Sequence, residues 1–503
     1  MTNHHKFARR SVVGMAVLSP LAAYAKQVGA RPDDRPNFLF LFPDQLRFDW
    51  VVTSKLPIHT PNLDRLAARG VRFAKAYCSS PVCATSRACL ASGREYDQCG
   101  VPNNDANYPL SQETYYRKLR DAGYYVGACG KLDLNKASSG QGLDGRLHLA
   151  DWGFSDMVNC GGKGDAISGW DKSRTPHEPY MLYLQGKGFA DEYAADVKER
   201  GGGRSSAPDA DLNYAKTYPS SLSDDAYQDN WIGRTGLEMM QGFPKEKPWH
   251  LVVNFAGPHD PLDITVRMEK TCRDRTFPQP IASTELTPDV QNRIRQNYTA
   301  MVENIDRWVG VYIGELERRG ELENTIVVFS SDHGEMLGDH DRWGKNVPYE
   351  ASLCVPLIVA GPNIATQRSN ALVSLIDVGA TFLDYARADR PDGMTAQSFR
   401  PLLEGKTNSH RDYISSGVFN WRLVTDGRFK LIRGFDPKRQ PAGGSLPKGK
   451  DAPFILYDTE KDPFENQNFA DSFPGVVAHL SSLLPPINPD PKFDLPRLAR
   501  QVD

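Results

Sequence analysis

Pro81-Val82-Cys83-Ala84-Thr85-Ser86-Arg87-Ala88-Cys89-Leu90-Ala91-Ser92-Gly93-Arg94 is the stretch on which the reading of this chain turns. A strand-like run, Val71 to Tyr77, precedes it. Its own residues suit a helix, and Gly93 supplies a helix stop. Cys83 therefore falls where a strand gives way to a helix start, as in an α/β protein. Unpaired N–H groups and the positive end of the helix dipole gather there and favour an anion. Arg87, four residues on, lies one turn along the same face. A nucleophile beside a fixed cation makes a reaction centre. In isolation, C-x-x-x-R more often describes a buried cysteine beside a surface arginine.

Outward from this stretch, two continuous apolar runs read as central strands buried on both faces. Asn37 to Phe42 ends in Pro43-Asp44-Gln45-Leu46-Arg47, and Asn324 to Ser330 ends in Ser331-Asp332-His333-Gly334-Glu335. Open α/β sheets carry their chemistry at the C-terminal ends of such strands. Taken singly, each acidic residue also fits a solvated turn. Two further strand-like runs behave alike. Gly123 to Cys129 leads to Lys131 and Asp133, and Trp249 to Phe255 leads to His259 between Pro258 and Pro261. Thr60 to Ala67 reads as a capped helix with Pro61 in its first turn and a Leu63/Leu66 stripe. Ser111 to Ala122 is a helix candidate, and Pro288 to Arg319 reads as one long helix or two abutting ones.

Lys6, Arg9 and Arg10, the apolar run Val12 to Ala23, and Ala23-Tyr24-Ala25 have the three zones of a secretory signal. This sets an expected signal peptide at 1–25 and export to the periplasm or medium. Arg9-Arg10-Ser11-Val12-Val13 loosely resembles a twin-arginine signal. No later apolar segment has bilayer length, so no membrane span is expected. The 503 residues, with 24% charged and 40% hydrophobic content, fit a large soluble globular protein. A formal net charge of −2 gives no general pull towards nucleic acid. Eight cysteines are too few for a disulfide scaffold. Apart from Cys83 they read as buried thiols, with room for one or two disulfides in an exported chain.

Residues 135 to about 245 are rich in Gly, Ser and charges and show no sustained periodicity. The segment around Gly201-Gly202-Gly203 reads as mobile. Trp152, Trp170, Tyr180 and Trp231 in this region suit stacking on sugar rings, or simply core filling. Beyond about residue 405 the pattern changes to short strands, and Pro437 to Pro453 is a basic Gly/Pro-rich loop.

Cys83-Ala84-Thr85-Ser86-Arg87 with Gly93-Arg94 resembles the signature of the type I sulfatases, in the alkaline phosphatase superfamily. Matching motifs run in family order through Thr60-Pro61-Asn62-Leu63-Asp64, Gly130-Lys131, Pro258-His259-Asp260-Pro261, Asp332 to Lys345 and Ile455 to Asn466. The resemblance implies a large, mostly parallel α/β sandwich (26–405) with a small antiparallel C-terminal subdomain (406–503). It implies formylglycine made from Cys83 by a formylglycine-generating enzyme, and metal ligands Asp44, Gln45, Cys83, Asp332 and His333 for Ca²⁺, Mg²⁺ or Mn²⁺. It implies sulfate-binding roles for Lys131 and Lys345, leaving-group protonation by His259, and a diol held by Arg87. The implied substrate is a sulfated carbohydrate or aryl sulfate. Thr85 stands where the family carries Pro or Ala, and Asp133 where it carries His. Two other readings stay open: a phosphonate or phosphate ester hydrolase on this scaffold, suggested by Asp44-Gln45 and Asp332-His333, and a non-catalytic binder of sulfated glycans, suggested by Thr85 and Asp133.

Overall fold

Phe38, Phe40 and Phe42 turn one way and Leu39 and Leu41 the other, and all five are buried. Such a strand needs cover on both faces. Each large apolar side chain so buried contributes about 1.5–3 kcal/mol. In the computed structural model, which describes residues 34–53, 55–138, 140–202, 210–438 and 453–485, that strand is the middle of a sheet. The described residues lie almost wholly within one compact unit, Arg35–Asp503.

The sheet has eight strands: β1 (Asn37–Asp44), β2 (Gly70–Tyr77), β3 (Tyr125–Gly130), β4 (Asp156–Asn159), β5 (Trp249–Pro258), β6 (Thr325–Ser330), β7 (Leu357–Ala360) and β8 (Gln367–Ser374). Their spatial order is β4-β3-β5-β1-β6-β7-β2-β8. Only β7 runs against its neighbours, β6 and β2. The Phe face packs on Tyr115, Tyr124 and Phe382. The Leu face packs under the single 32-residue helix Pro288–Arg319, which carries Ile294, Met301, Ile305 and Val309. The expected α/β sandwich is therefore the observed one. A second sheet of four antiparallel strands follows: β9 (Ile414–Val418), β10 (Trp421–Thr425), β11 (Phe429–Arg433) and β12 (Ile455–Asp458).

The two sheets are joined by a buried charge cluster. Lys430 on β11 is fully buried, 3.0 Å from Glu350 and paired with Glu465, while Tyr77 donates to Glu350 at 2.9 Å. Glu350 opens a short helix, Glu350–Leu353. Two of its carbonyls, on Ala351 and Ser352, accept from Glu335 N and Gly334 N, each at 2.8 Å.

Several expectations need correction. The region 135–245 is largely helical, with helices at Lys163–Ser173, Pro179–Lys187, Ala190–Glu199 and Gln228–Gly242. Pro179–Lys187 is apolar on several sides and so lacks the one-sided stripe that marks a surface helix. Trp152, Trp170, Tyr180 and Trp231 are core residues, not a stacking surface. The helix expected from Ser111 begins at Tyr115, capped by Thr114. Thr60 sits at the cap position of Pro61–Ala67 but makes no capping bond. Asp306 instead accepts from Leu63 N at 2.8 Å and from Asn62 N at 3.3 Å. Each of the eight cysteines is a buried free thiol, as read for those other than Cys83, and the one or two disulfides for which an exported chain left room are not formed. No helix among the described residues is long and apolar enough to cross a membrane. The signal segment, most of Pro437–Pro453 and residues 203–209 lie outside the described residues.

Candidate active site

Helix Cys83–Ser92 starts immediately after the extended Val82 and ends on Gly93, whose φ of 65° is the left-handed conformation glycine adopts freely. Every residue of the helix is buried. This fixes Cys83 against the ends of β1 and β6. One ligand atom each from Asp44, Cys83, Asp332 and His333 lies within 4.8 Å of the others. Cys83 Sγ is 3.2 Å from His333 Nε2 and 3.8 Å from Asp44 Oδ1. His333 Nδ1 lies 3.0 Å from the Gly334 carbonyl. A carbonyl only accepts, so Nδ1 carries the hydrogen and Nε2 faces the cluster.

Arg87 ties the cluster together. Its Nη2 donates to Asp44 Oδ2 and its Nε to Asp332 Oδ2, both at 3.0 Å. Nη1 donates to Lys131 O at 2.7 Å and Asn254 Oδ1 at 2.8 Å. The guanidinium is thus engaged by groups from β1 and β5 and from the turns that follow β3 and β6. Lys131 Nζ is 2.6 Å from Asp44 Oδ2 and 3.3 Å from Asp133 Oδ2. Asp133 is also 3.1 Å from Lys136, so its charge is shared between two cations. Lys345 Nζ is 2.7 Å from His259 Nε2 and donates to Gln45 Oε1. His259 Nε2 is 3.9 Å from Asp44 Oδ1, and its Nδ1 donates to Asp260 O at 2.6 Å. All nine residues singled out in the sequence meet in one network.

The electrostatics separate the two carboxylates. Burial pushes Asp44 up, but Lys131, His259, Arg87 and Lys345 outweigh it and hold the carboxyl well below its usual range. Burial and the neighbouring Asp44 charge push Asp332 up. Burial and Asp44 also push the Cys83 thiol up. Lys131, Lys345 and His333 outweigh them and hold it well below the usual thiol range. Two carboxylates, an imidazole nitrogen and the Cys83 position, with the Gln45 amide alongside, are a donor set that suits a hard divalent cation.

Sequence reasoning passed over several members of this network. Asn254 and His250 are the two polar side chains that interrupt the apolar run of β5, and that interruption was the signal for Asn254. Glu335 is fully buried. Its Oε2 accepts from Tyr214 at 2.8 Å and from Gln45 Nε2, and its Oε1 accepts from Leu337 N at 2.8 Å and Gly344 N at 2.7 Å. Gln45 Nε2 also donates to Asp260 at 3.3 Å. Because the amide nitrogen faces these two carboxylates, the Gln45 carbonyl oxygen must face Lys345. Tyr214 had no sequence signal, lying just after a glycine- and serine-rich stretch.

Comparisons with known proteins identify the family of the chain. The Sulfatase family model matches residues 36–388, and the model described as N-sulphoglucosamine sulphohydrolase, C-terminal, matches residues 338–484. The chain is similar to an arylsulfatase of Clostridium perfringens, at 27% identity over 412 residues, covering 76% of this chain and 81% of the relative. It is similar to a choline-sulfatase of Rhizobium meliloti, at 28% over 486 residues, covering 88% and 84%. Among solved structures, the phosphonate monoester hydrolase of Agrobacterium radiobacter superposes with a TM-score of 0.69 at 21% identity, covering 89% of this chain and 94% of that one, a likeness of fold. With a family model spanning most of its length, this chain belongs to the sulfatase family, the sulfuric ester hydrolases of the alkaline phosphatase superfamily.

Proposed function

We propose that this chain is an exported, formylglycine- and metal-dependent sulfatase that removes sulfate from a sulfated carbohydrate or an aryl sulfate. The observation that carries the reading is the convergence of Asp44, Cys83, Asp332 and His333 within 4.8 Å, flanked by Lys131 and Lys345. The C-terminal match, whose description names N-sulphoglucosamine, favours carbohydrate. Export rests on the signal-like residues 1–25, and maturation on a formylglycine-generating enzyme acting at Cys83. The same reading divides the catalytic part from the small C-terminal part near residue 405.

Asp44, Gln45, Asp332, His333 and residue 83 would hold Ca²⁺, Mg²⁺ or Mn²⁺. A formylglycine at residue 83 would supply the nucleophilic hydroxyl, and a cation held by these residues would lower its pKa. The chain's own side chains do the rest. Lys131 and Lys345 bring two positive charges to the sulfate oxygens, where charge builds in the transition state. Lys345 and His259 share a hydrogen across 2.7 Å, so a proton is ready for the departing alkoxide oxygen. Arg87 is engaged with both carboxylates, so we assign it chiefly to fixing Asp44 and Asp332 beside residue 83.

One experiment tests the reading. Protein from its native host is analysed by intact-peptide mass spectrometry across Cys83 and assayed on aryl sulfate and aryl phosphonate esters together. The expected result is a formylglycine mass at residue 83 and faster sulfate turnover. A free thiol with no turnover would favour a binder of sulfated glycans. Preference for phosphonate by orders of magnitude would favour the second reading, which the Asp44-Gln45 pair and the phosphonate hydrolase fold likeness support.

A further inference from the structure

Arg72 on β2 and Arg368 on β8 are paired positions of neighbouring parallel strands. Their side chains leave the same face of the sheet side by side, an arrangement in which like charges repel. β8 is the edge strand, so no strand flanks Arg368 on its outer side. Both arginines line a cavity of about 260 Å³, together with Lys55 and apolar walls that include Phe48, Val52 and Ile358.

The cavity gathers positive charge without the usual counterweight. Arg72 donates to Val52 O at 2.6 Å and Val51 O at 3.4 Å. These bonds fix the guanidinium plane and leave other N–H groups of its five unspent. Among the described residues, the side chains of Arg368 and Lys55 have no hydrogen-bond or ion-pair partner. Asp49 is the one carboxylate lining the cavity, and Arg47 already takes both its oxygens, at 2.9 and 3.0 Å. Burial and Arg368 together hold Arg72 below its ordinary value, and Asp64 only partly offsets them. Two unopposed guanidiniums beside one another match the geometry of an oxyanion, which arginine binds through paired N–H groups. The apolar walls and the volume leave room for more than a bare ion.

We propose that this cavity is a second oxyanion site, sharing no residue with the centre at Cys83, in which a sulfate, phosphate or carboxylate group sits between Arg72 and Arg368 with Lys55 at the rim. The proposal does not depend on the chemistry at Cys83. An oxyanion here comes either free in solution or borne on a small ring that packs against Phe48 and Ile358.

Crystals of the full chain soaked in sodium tungstate test it, because tungsten's anomalous signal locates the ion. The expected peak lies within hydrogen-bond reach of both guanidiniums and disappears in Arg368→Gln. Arg368 is exposed, so this variant should fold and turn over an aryl sulfate within about twofold of the parent rate. Absence of the peak while tungstate fills the Cys83 centre would overturn the proposal. So would a peak that survives Arg368→Gln, which would mark an adventitious ion only. Tungstate at the arginines but not at Cys83 would support this site and count against the sulfatase reading. Displacement of tungstate by inorganic sulfate identifies a free oxyanion as the ligand. Displacement only by a monosulfated hexose identifies a ring-borne one, and displacement by neither rejects the site.

Discussion

The Nε hydrogen of Arg87 is given to Asp332 Oδ2 at 3.0 Å, with both side chains buried. The same guanidinium holds Asp44 at an equal distance. The first turn of one helix therefore binds the ends of two strands that lie far apart in the chain. Arg87→Gln would leave two buried carboxylates without this cation. Removing one partner of a buried pair costs about 3–5 kcal/mol. Urea unfolding should show a loss of that order, and turnover should disappear. Parental stability in the variant would mean that the carboxylates find their compensation elsewhere.

A divalent cation bound at Asp44, Asp332 and His333 stabilises the folded chain by mass action. At a hundred times its dissociation constant the gain is about 2.7 kcal/mol. Thermal unfolding with Ca²⁺ against a chelator should show a higher Tm with Ca²⁺, and Asp332→Asn should shrink that difference. Equal Tm values with and without metal in the parent would remove the cation from the site.

His259 is assigned to the leaving group, so its importance should depend on how badly that group leaves. His259→Ala should slow an alkyl or sugar sulfate by about 10²–10⁴-fold. An aryl sulfate with an acidic phenol needs no proton and should slow far less. Equal losses on both substrates would reassign His259 to binding.

The Thr85 hydroxyl is buried and has no hydrogen-bond partner. A buried unsatisfied polar group costs about 1–3 kcal/mol. Thr85→Ala removes it and restores the residue type usual in the modification motif. The variant should be at least as stable as the parent in urea, and the fraction of formylglycine at residue 83, read by mass spectrometry, should rise.

Glu178 caps the helix Pro179–Lys187, accepting from Tyr180 N and Met181 N. Burial pushes its carboxyl up to about 7, against the backbone hydrogen bonds that lower it. The folded chain therefore keeps this proton to higher pH than the unfolded chain, whose glutamates titrate near 4.3. Its contribution to stability is greatest below about pH 4 and is lost as pH rises to about 7. Glu178→Gln should flatten that part of the stability profile. A parallel profile in the two proteins would mean the charge is tolerated where it lies.

The framework was legible because its strands are unusual. Asn37 to Phe42 and Asn324 to Ser330 are unbroken apolar runs of strand length, and each ends in a carboxylate. In a mostly parallel sheet such ends lie along one edge, where the chemistry collects. The sharing of Asp44, Asp332 and Arg87 was less legible, since spacing alone says nothing about which strands are neighbours; the family resemblance brought these residues together. The region 135–245 misled for a physical reason. Its helices are short and pack into a crowded interior, so their burial is not confined to one stripe. Trp170 and Tyr180 therefore resembled a display of aromatic rings when they are core. Gln45's partners were hidden because Tyr214 and Glu335 reach it from segments 169 and 290 residues away.

Lys430 reaches from the small sheet to Glu350, and the helix beginning at Glu350 clamps the backbone just after His333. The far end of the chain thus acts as a brace for the turn that carries a proposed metal ligand. A protein shortened to its larger sheet would strand the Glu350 carboxylate beside Tyr77 and free the loop that aims the imidazole. In this architecture the modest C-terminal module cannot be shed as an accessory: evolution or an engineer would have to carry it along wherever the reaction centre goes.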